Sequence, residues 1–167
     1  MRSHLNRGGS RLDRRSRLVV IGCVYAGVAG AVLLARHADG AAIGGARWPL
    51  FVAGLLLMGA GIVVRQWSVA LLGRYFTTDV RVHSGQTVVE RGPYRWVRHP
   101  SYAGLILVLV GFGLALGNWA SLAVVAIVPT AGIVVRIGVE ERALLDGLGE
   151  QYRRFAAGRP RLFPGVW

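Results

Sequence analysis

Four apolar stretches, separated by arginine-bearing polar ones, organise this sequence. Residues 1–17 are polar and carry Arg2, Arg7, Arg11, Arg14, Arg15 and Arg17. An uncharged run, 18–35, follows. It is long for the apolar part of a signal peptide, and no small-x-small cleavage site precedes a mature domain, so it predicts a membrane helix. A short polar loop with Arg36, His37, Asp39 and Arg47 leads to a second run, 48–64. Trp48 opens that run where an interfacial aromatic is expected. The stretch 65–100 is amphiphilic, and its Trp67, Leu71, Leu72, Tyr75 and Phe76 are too apolar for a polar loop. It predicts a helix over 67–76 at the membrane interface, then turns at Gly85 and Gly92-Pro93.

The third run, 102–116, reaches only about 22 Å as a helix. Gly117-Asn118 separates it from the fourth, 119–139, so these two predict a tight helical hairpin. Pro129 lies inside the fourth run and should kink it, because it removes a backbone donor. The tail, 140–167, is polar and amphipathic, then rich in proline at Pro160 and Pro164. The pattern predicts an all-α integral membrane protein with about four transmembrane helices plus amphipathic interfacial helices. Residues 1–17 would form an arm, 18–64 two N-terminal membrane helices, and 65–167 a membrane core with a polar tail.

Composition agrees with a membrane chain. Of 167 residues 53% are hydrophobic, and the mean hydropathy is +0.46, more apolar than a soluble domain of this size needs to be. The 24 glycines suit close helix packing in a bilayer. Cys23 is the only cysteine, which excludes an internal disulfide and a cysteine zinc cluster. No metal site is expected.

Charge then sets the topology. The net charge is +12, and all 20 basic residues are Arg. If all four runs span, one side holds six Arg in the arm, six in 65–100 and five in 142–161, and the other holds only Arg36 and Arg47. This positive-inside bias predicts both termini in the cytoplasm. It also points the charge toward lipid and topology and away from nucleic acid as a partner.

Candidate chemistry lies in the string 91–104. Pro100 suits the first turn of a helix, which puts His99 near the N-cap. A helix start with Arg98 and His99 beside it favours an anion. Tyr94 and Tyr102 bring aromatic faces with polar tips, and Gly104 leaves room for something to lie against the helix. Arg98 and His99 equally suit anchors at a membrane rim, and Gly104, Gly111 and Gly113 equally suit helix packing. A second cluster, Arg136, Glu140 and Glu141, ends the fourth run. Acidic residues at a membrane boundary are usually paired or functional. An intrahelical salt bridge between Arg136 and Glu140, four apart, is the plainer alternative. A hairpin of the third and fourth runs would bring both clusters to one membrane level.

At these residues the chain resembles the isoprenylcysteine carboxyl methyltransferase family, within the small membrane methyltransferases that include phospholipid N-methyltransferases. The matching residues are Gly92-Pro93-Tyr94, Arg98-His99-Pro100-x-Tyr102-x-Gly104, Asn118, Arg136-x-x-x-Glu140-Glu141-x-x-Leu144, Gly149-Glu150-x-Tyr152 and Pro164. The resemblance implies methyl transfer from S-adenosylmethionine to a lipophilic acceptor, a carboxyl or else an amine or hydroxyl, in an integral membrane protein of a bacterial plasma membrane, with the site facing the cytoplasm. It implies a cofactor pocket in which His99 and Tyr102 face Glu140 and Glu141, with Tyr94, Arg98, Gly104 and Arg136 completing it. The cofactor's carboxylate suits Arg98, His99 and the helix start, and its ammonium and ribose hydroxyls suit Glu140 or Glu141. Asn118 is expected to be a turn or helix-start residue. No catalytic base is assigned, because an ionised carboxylate acceptor needs none.

Phe155 departs from the family, which often has tyrosine there. The arginine arm is not part of the pattern, and the acceptor need not be a prenylated protein. Sterol-type membrane reductases, which use a nicotinamide cofactor, carry a similar Arg-His-Pro-x-Tyr string. Here Ser101 stands where asparagine is expected in them. A non-enzymatic membrane protein would explain the charge but not the two clusters.

Overall fold

The computed structural model describes residues 5–45, 47–73, 88–165 and 167, and the side chains of the first helix from Asp13 onward. Among these residues the regular elements are helical. They are α1 (Leu5–His37), α2 (Arg47–Leu72), α3 (Pro100–Ala115), α4 (Trp119–Leu148) and α5 (Glu150–Ala156), with single 3-10 turns at Asp39–Ala41 and Gly92–Arg95. Each of the four apolar runs forms one of the first four helices. Three stretches, Asp13–His37, Arg47–Leu72 and Trp119–Leu148, are long and apolar enough to cross a membrane, and α3 is a shorter apolar helix of 16 residues.

Two boundaries differ from the pattern of the sequence. Residues 5–17, expected as an arm, continue α1 without a break. No proline interrupts 5–17, and the buried Asp13 and Ser16 bond Arg136 of α4. Residues 67–72, expected in a separate interfacial helix, are the last turns of α2. Their apolar side chains are taken up by the Gly92–Arg95 turn, which folds back on them. Gly92 has a φ of 59°, and a Cβ there would meet Leu71 Cδ1 at 2.3 Å. Only glycine accepts both the left-handed backbone and that approach. Tyr75, Phe76 and Gly85 lie outside the described residues.

The helices pair antiparallel. α2 lies along α3 with backbones nearly touching. A Cβ on Gly54 or Gly111 would meet the other's carbonyl oxygen at 2.6 Å, and Gly61 and Gly104 repeat the contact about two turns away at 2.6 and 2.7 Å. α1 lies along α4. Gly27 faces Pro129, where a Cβ would sit 2.8 Å from the ring, and α4 carries Pro129 within a continuous helix. α3 and α4 form the expected hairpin. Asn118 caps α4 by accepting from the Ser121 N–H at 3.0 Å, and its side-chain amide donates to Ala38 O at 2.9 Å. That second bond ties the α1–α2 loop to the hairpin turn. The opposite end therefore gathers the start of α1, the end of α2, the start of α3 and the end of α4. Ile133, Ile137, Ala103, Ile106 and Leu162 fill the core just beneath that end.

Candidate functional site

The chain returns to the bundle at Arg98 and His99, and the C-terminal tail pairs with it there. Arg98 N donates to Pro160 O at 3.0 Å and His99 N to Arg161 O at 2.9 Å. Two backbone bonds thus seat the tail beside the start of α3. His99 is the N-cap residue and Pro100 the first helical residue, where its missing donor costs nothing.

Glu141, 7% exposed, is the centre of the charge arrangement. Arg98 Nη1 donates to its Oε1 at 2.9 Å, and Arg161 Nε donates to its Oε2 at 2.9 Å. His99 Nε2 lies 3.3 Å from Oε1. Arg98 Nε is further held by Arg159 O at 2.7 Å. A buried carboxylate survives where charged donors engage both oxygens, as they do here.

Glu140 sits beside it with a different set. Tyr102 donates to Glu140 Oε2 at 3.0 Å, and no described residue donates to Oε1. Arg136 forms no salt bridge with Glu140. Its Nη1 donates to the Asp13 carboxylate, to Asp13 O at 2.9 Å and to Ser16 Oγ at 2.8 Å. The i, i+4 spacing puts Arg136 and Glu140 on one face, but Tyr102 of α3 engages Glu140 and Asp13 of α1 engages Arg136.

Tyr94 is buried with Tyr152 and Phe155 in an apolar cluster under the site. Its hydroxyl points back to Ser68 O at 3.4 Å. Burial pushes the Tyr94 phenol above its ordinary range, and Glu140 and Tyr102 add to the shift. Tyr152 is only 3% exposed, and its hydroxyl has no hydrogen-bond partner among the described residues. Burial likewise raises its pKa, and the charges acting on it are those of Glu141, Arg98, Glu140 and Arg161. A buried hydroxyl without a partner beside four site charges is what a polar ligand would complete.

The structure thus brings Arg98, His99, Tyr102, Arg136, Glu140 and Glu141 to one end of the bundle, with Tyr94 beneath them. Gly104 takes the helix-packing alternative. The space beside it is filled by α2, and a Cβ on Gly104 would sit 2.7 Å from Gly61 O and 2.9 Å from Arg65 N. A third helix was needed to see this. Arg161, Asp13, Ser16 and the orphan hydroxyl of Tyr152 are additions. Arg161 lay in a proline-rich tail whose path nothing local defines. Asp13 carried a visible signal, an acid placed among Arg11, Arg14, Arg15 and Arg17.

Comparison with known proteins identifies the family. The profile of the isoprenylcysteine carboxyl methyltransferase (ICMT) family matches residues 52–146. The chain is 33% identical over 99 residues to the uncharacterised protein YpbQ of Bacillus subtilis, covering 59% of this chain and 58% of that one. It is 34% identical over 107 residues to protein-S-isoprenylcysteine O-methyltransferase A of Arabidopsis thaliana, covering 62% and 53%. The corresponding protein of Saccharomyces cerevisiae is 33% identical over 103 residues, covering 60% and 43%. The chain therefore spans about half the length of the curated relatives it matches. A family profile that runs through α2, α3 and α4, and through both charged clusters, decides the assignment: the chain belongs to the isoprenylcysteine carboxyl methyltransferase family.

Proposed function

We propose that this protein is a membrane enzyme that methylates the carboxylate of a lipophilic, isoprenylcysteine-like acceptor, with S-adenosylmethionine as donor. The observation that carries the reading is the pair of adjacent carboxylates at the end of α4. Glu141 is saturated by Arg98, His99 and Arg161, whereas among the described residues Glu140 accepts at one oxygen only and the Tyr152 hydroxyl has no partner. The family match favours methyl transfer over the nicotinamide-dependent reductase.

The donor set fits the cofactor. Glu140 and the Tyr152 hydroxyl would take its ammonium or ribose hydroxyls. Arg98, Arg161 and His99 would balance its carboxylate, with Glu141 holding those three in place. When bound, S-adenosylmethionine supplies a methyl group already activated on a sulfonium. The chain's own residues then have to orient and to exclude water. An acceptor carboxylate is ionised at neutral pH and brings its own nucleophilic oxygen, so no side chain has to remove a proton. The site lies at the end of a bundle whose α1 and α2 expose Leu18, Val19, Leu55 and Leu56. A lipophilic acceptor could approach along such a surface.

The same reading places four crossings in a bacterial plasma membrane, with α3 as the shortest, both termini in the cytoplasm and the site at the cytoplasmic face. The arginine partition supports it. The test is a membrane assay with methyl-labelled S-adenosylmethionine and an N-acetyl-S-prenylcysteine. Base-labile label in the lipid-soluble fraction is the expected result. Label that resists base points to nitrogen and removes the carboxyl acceptor. No transfer, together with no cofactor binding by folded protein, removes the reading.

A further inference from the structure

We infer that Trp167 is a positioning residue that holds the Arg161 guanidinium so that its two terminal nitrogens meet the cofactor's carboxylate; this rests on the methyl-transfer reading of the site. The tail that carries both residues is well seated before it reaches Trp167. Arg98 and His99 bond its backbone at Pro160 and Arg161. Leu162, 6% exposed, packs with Ala103, Ile106, Ile133 and Ile137. Leu162, Phe163 and Pro164 line an apolar cleft with Pro93, Val97 and Pro100. Gly165 then takes a left-handed φ of 79°, and Trp167 comes back onto Arg161. Arg161 N donates to Trp167 O at 2.7 Å, and the central carbon of the Arg161 guanidinium lies over the Trp167 ring, 4.5 Å from its centre.

A guanidinium offers its donors in one plane, as a rigid fork. In Arg161 the Nε is committed to Glu141 Oε2 at 2.9 Å, and Trp167 covers a face of the plane. The two contacts together fix the tilt and the edge of the group. Its Nη1 and Nη2 have no acceptor among the described residues. Arg98 is engaged differently, with Nε on Arg159 O and Nη1 on Glu141. Arg161 is therefore the site arginine that keeps both terminal nitrogens for a ligand, the parallel pair of donors that a carboxylate takes. Its side chain is 33% exposed, and an arginine so exposed samples many rotamers unless something holds it. Trp167 is itself 51% exposed, so its contribution is this contact with the cation rather than burial in a core.

The experiment titrates the full chain in nanodiscs with S-adenosylmethionine and with its decarboxylated form, which keeps the sulfonium, the amine and the adenosine. Wild type should bind the first more tightly. Trp167→Ala should weaken S-adenosylmethionine binding about two- to fivefold, the worth of one partly exposed cation–π contact, and leave binding of the decarboxylated form unchanged. Trp167→Phe keeps an aromatic face and should retain most of the affinity. Because Leu162 and the backbone bonds hold the tail, Trp167→Ala should melt close to wild type. An equal loss for both ligands overturns the inference and makes Trp167 a structural part of the tail. Unchanged binding of both overturns it too, as expected of a tryptophan that only anchors in the membrane interface. Equal wild-type affinity for the two ligands also overturns it, since the carboxylate is then not recognised. A folded wild type that binds neither ligand sinks the methyl-transfer reading itself, and the inference with it.

Discussion

At the scale of single residues, Tyr152 separates ligand binding from stability. Its hydroxyl is buried without a partner among the described residues, and a group in that state costs about 1–3 kcal/mol of desolvation. Tyr152→Phe removes the cost and keeps the ring packed on Phe155. The expected outcome is a melting temperature equal to or above wild type, with weaker S-adenosylmethionine binding in the same preparation. Unchanged binding would free the hydroxyl from any role at the cofactor. Glu141 acts on stability in the opposite direction. Glu141→Gln keeps the shape but leaves Arg98 and Arg161 facing each other without their countercharge. Their side chains are 20% and 33% exposed, so water offsets part of the penalty. A loss of about 2 kcal/mol is expected, below the range for a fully buried pair, and denaturation in detergent would measure it.

At the scale of elements, the seam between α2 and α3 depends on four glycines in two facing pairs. A methyl on Gly61 would sit 2.6 Å from Gly104 O, and the obstacle is backbone. The helices must separate, at a cost of about 1–3 kcal/mol typical of overpacking. Gly59 is on the same helix, exposed, with nothing within 4 Å of its Cβ position. Gly59→Ala should therefore be neutral or slightly stabilising while Gly61→Ala lowers the melting temperature. Equal effects of the two substitutions would show that close approach is not what holds α3 in place. Because α3 carries His99 and Tyr102 at its start, Gly61→Ala should also reduce cofactor affinity.

At the scale of the whole molecule, the layout places the α1–α2 loop at the hairpin turn and the C-terminal tail at the opposite end. The tail's seat is the pair of backbone bonds from Arg98 and His99. Topology reporters fused after Trp167 and inserted at Gly44 should therefore report opposite sides. With the arginine bias, the C-terminal fusion should read as cytoplasmic and the Gly44 insertion as external. Reporters on the same side would overturn both the four-crossing arrangement and the facing of the site.

The sequence by itself determined the apolar helices, the hairpin and its Asn118 cap, because hydrophobic run length and turn chemistry are local signals. It also brought forward Arg98, His99, Tyr102, Glu140 and Glu141, since two charged clusters at the ends of consecutive runs must meet once the hairpin closes. Tertiary structure alone decided which charges pair. Arg136 could have bonded Glu140 four residues away, and instead it reaches across to Asp13 on α1. Glu141 takes Arg161 from a tail whose path no periodicity describes. Gly104 belongs to α2 for the same reason, since only a neighbouring helix shows whether a glycine faces a ligand or a backbone. The physical cause is range. Helix formation is written in steps of three and four residues, whereas a buried charge accepts whichever partner the packed helices bring within hydrogen-bond distance.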